Sequence, residues 1–167
     1  MNRLNLLALA SGTVCWALAG TAHAATTVMG DLDYALPISS PYHAGPGFGV
    51  RFGQQIHIPL LTLTPELGFT YQSLRDDPAV YRGVVGLRAG IGEVFRPGIF
   101  AHVGLGTLGR GVPPKARVTY DGGVFLDLTL IPLITFGAHI AYQHLNAVKD
   151  QEALRCMLLG VHAGLVF

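Results

Sequence analysis

Nine side chains with chemical potential fall at alternate positions along a largely apolar sequence: Asp31 and Asp33, Arg51, Glu66, Arg82 and Arg88, Asp127, His139 and His162. Carboxylates, guanidiniums and imidazoles gathered in one enclosed space must neutralise one another, because an unpaired buried ion is costly. The chemistry predicted first is therefore a network of internal ion pairs. His139 and His162 are also two potential metal ligands. A metal site needs three or four converging donors, and the spacing supplies two, so no metal and no cofactor are expected. Nucleophilic catalysis needs a hydroxyl, a base and an orienting group within hydrogen-bond reach. The serines beyond the N-terminal segment, Ser39, Ser40 and Ser73, lie far in sequence from His139, His144 and His162. Phosphate-binding loops, Cys/His zinc pairs and basic–aromatic stretches are absent. Cys156 reads as an apolar strand-end residue, not as a nucleophile.

Elements of period two are needed to aim these groups in one direction, since successive side chains of a strand point to opposite faces. From 157 to 167 the row Met157, Leu159, Val161, Ala163, Leu165 and Phe167 is apolar, and Gly160, His162 and Gly164 occupy the other face. From 81 to 92, Tyr81, Val85, Leu87, Ala89 and Ile91 oppose Arg82, Gly86, Arg88 and Gly90. The same reading predicts eight strands near 27–36, 47–58, 62–74, 80–93, 98–109, 117–131, 133–145 and 155–167. Polar loops follow the odd strands (37–46, 75–79, 110–116 and 146–154). Tight turns follow the even ones, at Ile58-Pro59-Leu60, 94–98 and Ile131-Pro132-Leu133. Hairpin arithmetic then predicts Asp33 opposite Arg51, Glu66 opposite Arg88, Gln72 opposite Arg82, and His139 near His162, with Asp31 or Asp33 across the seam.

Composition places these strands. Half of the chain is hydrophobic and 13% is charged, against about 25% charged in an ordinary soluble domain. Beyond the N-terminal segment, no apolar run approaches the ~20 residues of a membrane helix. Alternating strands, with lipid on one face and a lumen on the other, reconcile the two facts. A soluble barrel would turn the apolar rows inward. The polar rows here are poor cover against water, being largely glycine with a few arginines and histidines, while Lys115 and Lys149 sit in loops.

Residues 1–24 read as a signal peptide: Arg3, an apolar stretch, then Ala22-His23-Ala24 before a cleavage point. Residues 25–167 form the predicted single barrel domain. Without Arg3 that domain carries ten basic and ten acidic side chains, a balance that argues against nucleic acid as a partner. Tyr34, Tyr71, Tyr81, Tyr120 and Tyr142 lie beside the polar loops, together with Tyr42, as an aromatic girdle at the headgroup level would.

The pattern resembles the small eight-stranded outer-membrane proteins of the OmpA transmembrane-domain and OmpX type, over the whole of 25–167. The resemblance implies an all-β, antiparallel, up-and-down transmembrane barrel, exported to the outer membrane of a Gram-negative bacterium. It implies outer-membrane lipid as the surroundings. The terminal strand ending in Phe167 resembles the assembly signal such proteins present to the outer-membrane insertion machinery. The outer loops are short for the family, which weighs against a loop-borne adhesion role. The expected function is structural, in the cell envelope, with a narrow gateable porin-like pore as the alternative and a lipid A-modifying enzyme behind it. Some barrels of this size deacylate lipid A, and Tyr142-Gln143-His144-Leu145-Asn146 faintly resembles their His-x-Ser-Asn segment. Leu145 or Asn146 stands where the serine is needed, so the chain is not expected to be an enzyme. The oligomeric state is left open.

Overall fold

A strand with one apolar and one polar face can satisfy its backbone in a membrane only by pairing on both edges, and the sheet accordingly closes on itself. The computed structural model describes residues 23–38, 41–75, 79–109, 115–131, 133–148 and 152–167. Eight strands run β1 (His23–Pro37), β2 (Gly45–Ile58), β3 (Leu61–Gln72), β4 (Ala79–Gly90), β5 (Phe95–Gly109), β6 (Arg117–Ile131), β7 (Ile134–Leu145) and β8 (Leu154–Val166). Each pairs antiparallel with its sequence neighbour, and β1 pairs with β8 to close the barrel. The expected eight-stranded up-and-down barrel is the observed one. No helix among the described residues is long and apolar enough to cross a membrane. Strands of 12 to 15 residues exceed the roughly 9–11 that a tilted strand needs to cross.

Of the expected leader, residues 1–24, positions 1–22 lie outside the described residues, and His23 and Ala24 extend β1 opposite His57 and Ile56. The turn expected at 94–98 is displaced. Phe95 to Gly98 already belong to β5, with Arg96 opposite Asp127, and the chain reverses at Ile91–Val94, where Gly92 takes a φ of 106°. Leu60, after Pro59, takes φ 68°, the left-handed conformation required at the second central residue of a type II turn, and Leu133 takes φ 78°. Pro65, which has no N–H to donate, sits where the β2–β3 ladder is interrupted between Gly53↔Glu66 and Ile56↔Leu63.

Three expected registers are corrected. Asp33 faces Gly47, and Arg51 faces Met29. Glu66 faces Gly86, and Arg88 faces Thr64. Gln72 faces Val80, and Arg82 faces Thr70. In the last hairpin His139 faces Gly160, and His162 faces Gly137. The cause is where each loop is centred, which the sequence leaves undetermined. Every slip is by an even number of residues, so no side chain changes face.

The lumen is filled in three layers. At the loop end, Ala35, Leu74, Val80, Leu108, Leu145, Leu154 and Cys156 form an apolar plug, and Tyr42 packs against it. Most of the buried charged groups occupy the middle, with Arg117 at the loop end and Arg96 at the turn end. Toward the turn end, buried Thr27, Gln55, Thr62, Thr64 and Thr135 close the section, joined by Thr129–Thr135 and His57–Thr62 hydrogen bonds of 3.1 and 3.0 Å.

Candidate functional site: the ion-paired lumen

Arg51, projecting inward from β2, holds two carboxylates at once. Its Nε and Nη2 donate to Asp31 on β1 at 2.8 and 2.5 Å, and its Nη1 donates to Glu66 on β3 at 3.1 Å. The Glu66 Oε1 also lies 2.6 Å from His102 Nε2. His102 Nδ1 lies 2.6 Å from Asp121 Oδ1, so both ring nitrogens face carboxylates. The second oxygen of Asp121 takes Arg82 Nη2. Arg82 further donates to Thr119 at 3.0 Å and to Gln143 at 2.5 Å, and Gln143 exchanges two hydrogen bonds with Gln72. A continuous chain of charge-assisted hydrogen bonds thus links β1, β2, β3, β5, β6, β4 and β7 across the lumen.

A second chain lies beside the first. Arg88 Nη2 donates to Asp127 Oδ1 at 2.9 Å, and its guanidinium rests 3.9 Å from the centre of the Phe125 ring. The same Asp127 oxygen lies 2.7 Å from His162 Nε2. His162 Nδ1 is 3.3 Å from His139 Nδ1, and His139 Nε2 is 2.8 Å from Asp33 Oδ1. Asp31, opposite His162 across the β1–β8 seam, lies close to both rings. Ligand atoms of Asp31, His139 and His162 are all within 4.8 Å of one another.

All nine side chains singled out in the sequence therefore point into the lumen, and each has a partner there. The partners differ from those expected because the contacts run diagonally between strands and across the lumen, not directly over a hairpin. Small residues make the room. A Cβ on Gly160 would collide with the Asp33 carboxylate and the His139 ring, and one on Gly86 would collide with His102. Asp121 escaped sequence reasoning because Gly122-Gly123 blurs the alternation beside it; counting in twos back from Asp127 would have found it. Arg96 was hidden by the misplaced turn. The apolar plug was missed as well, although the unbroken run Cys156-Met157-Leu158-Leu159 signals a strand that is apolar on both faces.

On the outside, Tyr34, Tyr81, Tyr120 and Tyr142 are exposed near the loop ends of their strands. Tyr71 joins them, its ring 5.2 Å from Phe48 and 5.1 Å from Tyr81, while Tyr120 stacks on His144 at 4.9 Å. Tyr42 departs from the group: it folds over the mouth, and its hydroxyl donates to the Glu152 carbonyl. Phe167 also faces outward, and its backbone exchanges two hydrogen bonds with Thr26.

The distribution of polarity decides what surrounds the barrel. Leu32, Ile99 and Leu105 are 60% exposed or more, whereas Arg82 and Asp127 are 2% exposed. In water that arrangement would leave the apolar rows uncovered while burying the ions. In a bilayer it is the stable one. The molecule is a transmembrane β-barrel of the outer-membrane type.

Solved structures show the same fold. Neisserial surface protein A superposes with a TM-score of 0.67 at 16% identity, over 86% of this chain and 99% of that one. Ail, the attachment invasion locus protein of Yersinia pestis, gives 0.58 at 12% identity, over 86% and 98%. The outer-membrane enzyme PagL gives 0.57 at 11% identity, over 80% and 97%. No protein-family model matches the sequence, and no curated protein matches it. At these identities the likeness is one of fold. The segment that would have to carry lipid deacylation places fully buried Leu145 in the apolar plug, and Ser73, the one serine among the described residues, is exposed beyond β3.

Proposed function

We propose that the protein is a structural component of the Gram-negative outer membrane, reached after export and removal of residues 1–24, whose lumen is closed at rest. The observation that carries this reading is the layering of the lumen: an apolar plug at the loop end above a middle section cross-linked by Arg51, Arg82 and Arg88. The cavity beside that network, bounded by Asp31, Arg51, His102 and Asp121 among others, has a volume of about 40 Å³, room for a few waters at most. Barrels of eight strands are wide enough for packed side chains and little more. The outward tyrosines serve as a girdle at the headgroup level, and the strand ending in Phe167 serves as the assembly signal read by the insertion machinery.

A second reading, a narrow gated pore, draws on one specific feature. Glu66 is shared between Arg51 and His102, so Arg51 could exchange partners and unblock a water path. Planar-bilayer recording separates the two. A closed structural barrel gives no steady single-channel steps in the wild type. Regular steps that change size or vanish in Glu66→Ala or Arg88→Ala would favour the pore and overturn the structural reading.

A further inference from the structure

The histidine pair at the β1–β8 seam poses a problem in proton counting. His162 Nε2 faces the Asp127 carboxylate at 2.7 Å, and His139 Nε2 faces the Asp33 carboxylate at 2.8 Å. A carboxylate only accepts, so Nε2 of His162 carries a hydrogen; the His139–Asp33 contact is short but lacks hydrogen-bond geometry, and Asp33 Oδ1 is left without a hydrogen bond. A neutral imidazole with hydrogen on Nε2 has a bare lone pair on Nδ1. The two Nδ1 atoms nevertheless face each other at 3.3 Å. The bare Nδ1 of His162 is therefore met either by a proton on His139 Nδ1 or by a cation that both rings share.

The separation matches a metal. Metal–nitrogen bonds of about 2.0–2.1 Å at a tetrahedral angle place two nitrogens about 3.3–3.4 Å apart. The surroundings match as well: a metal-binding histidine characteristically donates its other ring N–H to a carboxylate, which fixes its tautomer and orientation. His162 has that partner in Asp127, and the unpartnered Oδ1 of Asp33 lies 2.8 Å from Nε2 of His139, placed to take a hydrogen once metal holds that ring in the Nε2–H form. Asp31 supplies the third donor, within 4.8 Å of the others. Its oxygens already accept from Arg51, but each carboxylate oxygen has a second lone pair for a cation. The 40 Å³ cavity that reaches Asp31, Asp33 and His139 has space for water as a fourth ligand.

We propose that His139 and His162, through Nδ1, and Asp31, through one carboxylate oxygen, form a lumenal binding site for a divalent metal of the zinc type, with Asp127 and Asp33 as its positioning carboxylates. Sequence reasoning placed Asp31 or Asp33 across the seam from the two histidines without choosing between them; the β1–β8 register sets Asp31 opposite His162. The proposal stands whether or not the lumen conducts.

The test uses the untagged, refolded barrel in detergent after treatment with a chelator, titrated with Co²⁺ and then Zn²⁺. One equivalent of cobalt is expected to bind with the visible absorption of a tetrahedral, histidine-ligated ion, and zinc is expected to displace it. His139→Ala and His162→Ala are expected to abolish the absorption, and His144→Ala at the outer rim to leave it intact. Asp33→Asn is the most telling variant. Asp33 has no guanidinium partner among the described residues, and its replacement should weaken binding about 10–100-fold while leaving the barrel folded, as heat-dependent gel migration reports. Nitrogen-15 spectra of the wild-type histidine rings give a second readout that needs no variant. Zinc should shift Nδ1 of two rings and leave both in the Nε2–H form. No saturable cobalt binding, or binding that survives the double His139→Ala/His162→Ala change, would overturn the proposal. So would ring spectra of a proton-sharing pair that zinc does not alter.

Discussion

Replacing Arg51 with Met is expected to lower the unfolding free energy by about 3–5 kcal/mol, the cost of breaking a buried ion pair from one side. The side chain is buried, and a single guanidinium neutralises both Asp31 and Glu66. Methionine fills most of the volume, so the loss measures charge left without a partner and not an empty space. Glu66 keeps His102, whereas Asp31 loses both of its charge-assisted donors. The double change Arg51→Met/Asp31→Asn should therefore recover much of the loss. Urea unfolding in lipid vesicles measures both. Equal losses in the single and double variants would show that packing, and not the ion pair, holds β1 to β2 from within.

The second large effect lies on the opposite face. Val85 is exposed at the middle of β4, flanked by Leu67 on β3 and Val103 on β5. Val85→Arg should destabilise the barrel by about 2–4 kcal/mol, the cost of a cation at the bilayer midplane. Ile91→Arg, at the turn end, should cost about 0–1 kcal/mol, because the penalty falls off toward the interface. A surface valine of a water-soluble barrel would tolerate the same change within about 0.5 kcal/mol at either depth. The depth dependence is thus the signature of lipid. It is read from equilibrium unfolding of the two variants side by side.

These two predictions rest on different parts of what the sequence discloses. The facing of residues was legible because it depends only on parity. Leu105 and Val103 lie on one side of Gly104, as Arg82 lies on one side of Gly83, wherever the loop between the strands is centred. The strand count was legible for the same reason, together with the turn prolines Pro59 and Pro132. Partner identity was not legible, because it depends on register and on the stagger of a closed barrel. Arg82 finds Asp121 from two strands away, and Arg88 likewise finds Asp127; no hairpin arithmetic connects those pairs. His139 and His162 were placed together because they share a hairpin. That Asp31 or Asp33 would meet them across the seam was legible from barrel closure, but only the β1–β8 register puts Asp31 opposite His162. The apolar plug was obscured for a further reason. The expectation of a polar lumen assigns every inward apolar residue to a strand end, and Leu145, Leu154 and Cys156 are indeed at strand ends, where they meet over the mouth.

Everything here depends on apolar rows meeting lipid while ions meet one another inside. Spin-label scanning of β5 in lipid vesicles tests that most directly, with single cysteines at 99 to 106 in a Cys156→Ala background. Collisions with oxygen, which partitions into acyl chains, should peak at 99, 101, 103 and 105 and fall at 100, 102, 104 and 106, with little access for a polar nickel reagent at the middle positions. Oxygen collisions that peak instead at 100, 102, 104 and 106, or outward positions that are freely open to the nickel reagent, would contradict it.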